Sequence, residues 1–410
     1  MRFRHRATVM REVAAKPMVL VAGAGIGGLV AALALQRRGF PVTVLEQASA
    51  LRELGAGVQI AANGSRVLCT LGLRAEMESI ATVPDGKVVR LFNTGQSWPF
   101  INVRTGTAVA NTAPYWMVHR GDFHRVLVQA LEARSPGAIR LGQRCIGVEQ
   151  DGDGVTVLTA GGGRFHGAAL IGADGVHSRI REALFGGSEA RFTGFVAWRG
   201  LIPMDRVPER LREAGSSNWI GPHGHVVTYP LRGGALLNLV AAVERDDWRV
   251  ESWSERGTTA EIQADFALWH PDVQAIVREI DEPYKWALLG RAPMPRWSVG
   301  RVTLLGDACH PTLPFLAQGA NMAIEDGMVL ARALDAFPDV PEALRRYEEA
   351  RRDRTAGIVR AADDNASRFH NPDLARPEIA PGFVAREFDP GTIRRRYDWI
   401  YTYDAAQVAL

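Results

Sequence analysis

Gly23-Ala24-Gly25-Ile26-Gly27-Gly28 falls between a short apolar run and a helix-like stretch, the one setting in which a GxGxxG spacing has chemical meaning. Gly23 permits a tight turn, Gly25 lets the backbone approach a pyrophosphate, and Gly28 lets helix and strand pack closely. The helix N-terminus adds free N–H groups and a positive dipole end for the phosphates. Glu46 closes the next apolar run 18 residues beyond Gly28, where its carboxylate can accept both hydroxyls of an adenosine ribose. Two further acids stand where strands end and α/β sheets bind ligands: Asp174 in Gly172-Ala173-Asp174-Gly175-Val176-His177-Ser178, and Asp307 in Gly306-Asp307-Ala308-Cys309-His310-Pro311. Taken singly, each is equally a turn whose Asp caps the next segment. His225 and Tyr229 sit four apart on one strand-like stretch, so both side chains leave the same face, either into a pocket or into solvent. His223 and His225 form His-x-His, but no third ligand stands at a sensible spacing, so no metal is expected.

The elements that must position these groups follow from periodicity and breakers. Met18–Val21 reads as a buried strand, Ile26–Arg38 as a helix and Val42–Glu46, opened by Pro41, as a second strand, together a β-α-β crossover. Met117–Arg120 is expected to end in a turn at Gly121-Asp122 ahead of an amphipathic helix, Phe123–Arg134. Val148–Ala173 reads as an antiparallel meander with turns at Asp151-Gly152-Asp153-Gly154 and Gly161-Gly162-Gly163. Short aromatic and β-branched strands (Phe195–Ile202, His225–Leu231, Leu236–Val243) suggest a sheet-based second lobe. Val302–Leu305 returns to a buried strand, with a helix near Asn321–Leu334, a charged helical stretch over 340–370 and an aromatic end, Phe383–Tyr403, that packs back on the body.

Composition sets the outer limits. The 410 residues are 47 % apolar and 23 % charged, as in an ordinary globular protein, with no collagen-like period in the 42 Gly and 22 Pro. A net charge of +3 with no long basic run argues against nucleic acid as the main partner. Cys69, Cys145 and Cys309 are too scattered for a disulfide framework or a zinc site, so a reducing, cytoplasmic setting is expected. Met18–Leu35 is uncharged and follows a basic stretch, as a signal peptide or membrane span would. Its glycines lie where the nucleotide fingerprint needs them, and Gln36-Arg37-Arg38 follows instead of a cleavage site, so no membrane insertion is expected.

From Met18 to Tyr403 the chain resembles the single-component FAD-dependent aromatic hydroxylases. The match is best with the 3-hydroxybenzoate 6-hydroxylase, salicylate hydroxylase and 6-hydroxynicotinate 3-monooxygenase branch. It rests on the three acid-bearing motifs, on Val118-His119-Arg120-Gly121-Asp122, on Ala317-Gln318-Gly319-Ala320 and on Tyr397-Asp398-Trp399-Ile400-Tyr401. The resemblance implies an α/β fold like that of para-hydroxybenzoate hydroxylase. A Rossmann-like FAD-binding domain (17–190, returning at 291–335) would hold an inserted sheet-based substrate domain (191–290), followed by a helical C-terminal segment (336–410). Residues 1–16 would be an extension outside it. FAD would be held by Gly23, Gly25, Ile26, Gly27, Gly28, Glu46, Gln47, Val58, Arg120, Cys145, Asp174 and Asp307. Leu54-Gly55-Ala56-Gly57-Val58 would lie along the isoalloxazine, with the backbone N–H groups of Gly319, Ala320 and Asn321 at the flavin's pyrimidine edge. By the same resemblance His310 is structural, not a partner of Asp307 in a catalytic dyad.

The implied reaction is hydroxylation of a small phenolic or N-heteroaromatic acid, with or without loss of a carboxyl group, using O2 and NAD(P)H, NADH favoured, through a flavin C4a-hydroperoxide. Such chemistry needs an electron-rich ring, so the protein must take the substrate's hydroxyl proton in a pocket that excludes water. The resemblance makes His225 the base and Tyr229 its hydrogen-bonding partner, with Gln59, Trp116, Trp198, Trp219, Pro314 and Phe315 as pocket walls. Gln59, Pro314 and Phe315-Leu316 stand where relatives carry His, Gln and His, which leaves the exact substrate open. Trp198-Arg199-Gly200-Leu201-Ile202-Pro203 lacks the second Trp of the tryptophan halogenases. Two other classes remain: an FAD oxidoreductase without oxygen insertion, separated by the absence of an oxygenated product, and a flavin-fold sensor or scaffold, separated by bound FAD that NADH cannot reduce. A monomer or a homodimer is expected.

Overall fold

The computed structural model describes residues 15–51, 56–102, 113–187, 190–213, 215–247 and 255–410. Most of the N-terminal extension and the Leu54-Gly55 pair lie outside the described residues. The uncharged run at Met18–Leu35 is divided at the glycines into the strand Val19–Ala22 and the helix Ile26–Gln36, and both are almost wholly buried. Among the described residues no helix is long and apolar enough to cross a membrane.

Val19–Ala22 lies at the centre of a sheet ordered Ser298–Val299, Val302–Leu304, Ala169–Gly172, Val19–Ala22, Val42–Leu45, Ile139–Arg140. All its pairings are parallel except the edge strand Ser298–Val299. Parallel strands are covered on both faces, which is why these segments read as unbroken apolar runs. The same rule corrects the meander expected over Val148–Ala173. Its antiparallel part is Cys145–Gln150, Val155–Thr159 and Arg164–Gly167, whereas Ala169–Gly172, buried at every residue, crosses into the parallel sheet beside Val19–Ala22. The turn expected at Gly121-Asp122 is instead the first turn of the helix Arg120–Arg134, where Asp122 faces the positive end of the dipole.

The second sheet has seven strands in the order Tyr284–Gly290, Arg191–Pro203, Leu236–Glu244, Gly224–Leu231, Ser216–Gly221, Gly86–Leu91, Ser97–Asn102. Its last two strands come from far earlier in the chain than residue 191, and Gly86–Leu91 joins Ser216–Gly221 in parallel. Strand alternation gives it two apolar faces. Ala197, Ile220, Tyr229, Ala242 and Trp286 face inward, toward Phe315, Phe369 and the C-terminal helices. Val196, Trp198, Trp219, Val226 and Ala241 face outward, against the helices Thr259–Asp265 and Pro271–Arg278. The hairpin of Gly57–Ile60 and Trp116–His119 lies between the parallel sheet and the inner face.

The helices Gly319–Ala336 and Val340–Phe369 are joined by buried charge. Arg351 donates to Asp326 Oδ1 at 2.7 Å and pairs with Glu325 at 2.7 Å, all three fully buried. Arg354 donates to both Glu325 oxygens, and His310 Nε2 lies 2.6 Å from Asp326 Oδ2. Although burial pushes the other way, Arg351 and Arg354 hold Glu325, and His310 with Arg351 holds Asp326, below the ordinary carboxylate pKa. Removing one partner of such a pair leaves uncompensated charge at a cost of roughly 3–5 kcal/mol. Arg351→Met is therefore expected to lower the unfolding free energy by about that much, read from urea denaturation at pH 7.

Candidate active site

A cleft of about 900 Å3 opens at the carboxyl ends of the parallel strands. Gly23, Gly25, Glu46, Gln47, Cys145 and Asp174 line one end, and Arg120, Arg199, Trp286 and Asp307 line the other. Gly23 has φ +104, and a Cβ there would stand 2.5 Å from the Ala173 carbonyl, so the turn requires glycine. A Cβ on Gly25 would meet nothing within 4 Å, so this backbone is bare toward the cleft. Gly28 is the opposite case: its Cβ would lie 2.1 Å from the Gly23 carbonyl, and Gly27's would press on Leu305. Ile26 belongs to the core around the parallel sheet and Val58 packs against it. Glu46 Oε2 accepts from the Ala24 N–H and Oε1 from the Ala48 N–H, each at 2.8 Å, which fixes the carboxylate at the cleft edge. Asp174 accepts from Ser178 Oγ and from the N–H groups of Arg179 and Ile180, so it caps a helix while lining the cleft. Protein packed around Asp307 pushes its pKa up, and burial raises the Cys145 thiol to about 12. Asn321 Oδ1 accepts from the Ala61 N–H and its Nδ2 donates to the Gln59 carbonyl, pinning the start of the helix Gly319–Ala336 to the hairpin.

Beside the cleft, the inner face of the second sheet carries a buried polar set. Tyr229 lies on the strand next to Asn238, and Asn238 Oδ1 accepts from the Gly57 N–H at 2.8 Å. Gly57 is glycine because a Cβ there would stand 2.5 Å from Tyr229 Oη. The Tyr229 hydroxyl lies against Gln59, and burial pushes its pKa up to about 12. Gln59 Oε1 also accepts from Tyr115 Oη at 2.6 Å and from Lys87 Nζ, which donates to Tyr115 as well. Lys87 is buried, and burial lowers its pKa to about 7. Among the described residues no carboxylate pairs with it. Further along the strand, His225 packs edge-on against Phe315, with ring centroids 4.9 Å apart.

His225 and Tyr229 do share one buried face. They do not pair with each other, because four residues of strand put them roughly 13 Å apart. His225 Nδ1 instead meets His370 Nε2 at 2.7 Å. The tryptophans expected as walls are all placed elsewhere. Trp198 and Trp219 occupy the outward strand positions, Trp198 Nε1 donating to Asp265 and Trp219 stacking on His270. Trp116 belongs to the core around the parallel sheet. Phe315 does lie on the inner-face side, as does Gln59, and Pro314 opens the short turn that carries Phe315. His310 pairs with Asp326 and not with Asp307.

A family model described as an FAD binding domain matches residues 16–362. The chain belongs to that family. It is 38 % identical over 398 residues to 3-amino-4-hydroxybenzoate 2-monooxygenase from Streptomyces platensis, covering 96 % of this chain and 98 % of the relative. It is also 38 % identical over 402 residues to 3-hydroxybenzoate 6-hydroxylase from Polaromonas naphthalenivorans, covering 94 % and 96 %. Klebsiella pneumoniae HpxO, crystallised with FAD and uric acid, superposes with a TM-score of 0.79 at 27 % identity over 92 % of this chain and 96 % of that one.

FAD is the cofactor of this family, and the cleft fits it. Its volume reaches the upper part of the roughly 300–1,000 Å3 usual for cofactor sites. Bare backbone at Gly25, an anchored acid at Glu46 and the cation of Arg120 supply the donors and acceptors a dinucleotide needs. Gly25 has φ −71 and ψ 176, which alanine adopts freely. Gly25→Ala is therefore expected to leave the apoprotein's melting within about 0.5 kcal/mol of wild type. FAD affinity, titrated by flavin fluorescence quenching, should fall at least about tenfold, because the new methyl group stands where a phosphate must come. Gly28→Ala should do the reverse and lower the melting temperature first.

Proposed function

We propose that this chain is an FAD-dependent monooxygenase that hydroxylates the ring of a small phenolic or N-heteroaromatic acid, with NAD(P)H as electron donor and O2 as oxygen source. The observation that carries the substrate reading is a buried polar set beside the cofactor cleft: Lys87, Tyr229 and His225 on the inner sheet face, with Gln59 and Tyr115 brought against them by the adjoining strand pair. Bound FAD supplies hydride acceptance and oxygen activation; the protein supplies position and proton handling. The Lys87 ammonium takes the substrate's carboxylate, with the Tyr115 hydroxyl and Gln59 amide fixing its direction. Tyr229 holds the ring, and His225 Nε2, which has no partner among the described residues, accepts the ring hydroxyl's proton. Apolar side chains around them exclude water, so the ionised ring keeps its electron density for attack.

A panel of hydroxybenzoates, aminohydroxybenzoates and hydroxypyridines tests the reading. At least one member should accelerate NADH oxidation by the holoenzyme and appear as an oxygenated product. Accelerated oxidation with no oxygenated product from any member would overturn it in favour of an oxidoreductase that inserts no oxygen.

Lys87 makes the carboxylate assignment testable on its own. An anion binds the protonated lysine, whose pKa in the free protein is about 7. Affinity for benzoate, which has no hydroxyl to titrate, should be constant below that pH and fall about tenfold per unit above it. Lys87→Met should bind benzoate weakly at every pH while retaining FAD. A flat wild-type profile from pH 6 to 9 would remove Lys87 from the site.

A further inference from the structure

His225 carries a conflict that the assignment of a base does not resolve. It is buried, and both burial and the neighbouring His370 hold its pKa well below the ordinary histidine value. Such a ring can accept a proton but cannot keep it, because an isolated charge in a dry site is expensive. A fixed exit for the proton would remove the difficulty, and the structure has one. His225 Nδ1 meets His370 Nε2 at 2.7 Å, and His370 Nδ1, buried and without an aligned hydrogen bond, lies 3.3 Å from Glu244 Oε1. The rings are 3 % and 2 % exposed, whereas the Glu244 side chain is 39 % exposed. The other Glu244 oxygen lies 2.7 Å from Nδ1 of His223, whose side chain is 62 % exposed.

We propose that His370 and Glu244 carry the proton accepted by His225 out to the protein surface, which makes His370 a positioning and relay residue for the hydroxylation. The inference rests on the reading of His225 as the base. Before reaction each ring carries its hydrogen on Nδ1, so His225 donates to His370, and the half-exposed Glu244 side chain has only to reorient to accept from His370 Nδ1. The substrate's O–H bond breaks and its proton joins His225 Nε2. The Nδ1 proton of His225 moves to His370 Nε2, and the Nδ1 proton of His370 moves to the Glu244 carboxylate and on to water. No ring keeps a positive charge. Protonation of the product oxygen runs the same transfers backwards and restores both tautomers.

The surroundings favour this direction. His370 caps the C-terminal end of the helix Val340–Phe369, where the negative end of the dipole stabilises a passing cation. Its carbonyl accepts from the His223 N–H at 3.2 Å, which ties the helix end to the turn that feeds the His225 strand. Among the described residues the titratable groups facing the two rings are Glu244 and His223, and Phe195, Phe315 and Phe369 pack on the other sides. The nearby His370 and His223 hold Glu244 below its ordinary pKa, so it stands ionised and passes a proton readily on to water.

Two measurements test the relay. In holoenzyme mixed with 3-hydroxybenzoate and a pH indicator, without NADH, wild type should release a proton as the bound phenol ionises. His370→Phe and Glu244→Gln should release it at least about tenfold more slowly and need a higher pH to ionise the ligand. Imidazole in the buffer should restore the rate in Glu244→Ala but not in His370→Phe. Wild-type rates and pH profiles in both His370→Phe and Glu244→Gln would overturn the proposal, and Glu244→Gln, at a half-exposed position, keeps it testable if His370→Phe does not fold. The second measurement needs no substrate. Nitrogen NMR of the histidine rings should show Nε2 unprotonated on both His225 and His370, and a protonated Nε2 on His225 in the resting enzyme would overturn the relay. If no member of the hydroxybenzoate, aminohydroxybenzoate and hydroxypyridine panel binds, the substrate reading falls, while the ring spectra still decide the relay.

Discussion

Charge is expensive wherever water is kept out, and much of this molecule is arranged around that cost. Behind the cofactor cleft, Glu325 and Asp326 are fully buried and remain ionised because Arg351 and Arg354 reach them. On the inner face of the second sheet no carboxylate among the described residues pairs with Lys87 or His225. Lys87 has two neutral oxygen partners there and His225 a neutral ring. The first arrangement fixes structure: it clamps two long helices and holds His310 beside the turn that carries Asp307. The second leaves a deficit that the proposed substrate, an anionic ring with one titratable hydroxyl, would fill.

The side on which each residue falls is decided by strand alternation. In the segment Ala197-Trp198-Arg199, Trp198 faces the outer helices while Arg199 lines the cleft and Ala197 packs on the inner face. Small inward residues such as Ala197 and Ala242 leave room above the sheet, and the bulk of Trp198 and Trp219 fills the outer layer. Gly57 does the same from the hairpin, since only a missing side chain lets Tyr229 reach the backbone there.

The nucleotide half was legible in the sequence because its signals are local. Gly23, Gly25 and Gly28 act within six residues, and an acid ending the following strand completes the pattern. His225 and Tyr229 could be assigned to a common face from their spacing alone. Which face that was could not be read, and the tryptophans were therefore set on the wrong side. A strand buried on both faces shows no contrast between apolar positions, and large aromatics suggest a pocket when they are filling a core. Lys87 sits after Pro84-Asp85-Gly86, where a lysine looks like one more exposed charge. His370 lies 145 residues from His225, at the end of a helix whose charged sequence points to solvent, and nothing local joins the two.

The parallel pairing of Gly86–Leu91 with Ser216–Gly221 brings distant parts of the chain into one sheet, so the proposed ligand-binding set is divided among them. Lys87, Gln59 and Tyr115 belong to the early part, His225 and Tyr229 to the middle, and His370 to the late part. A chimera that exchanged only 191–290 with a relative would import the proposed base and Glu244 but leave Lys87 and His370 behind. The same division means that single changes in an early strand can alter which rings are accepted while the reacting end stays untouched, a route by which relatives on one scaffold can diverge in substrate without rebuilding their chemistry.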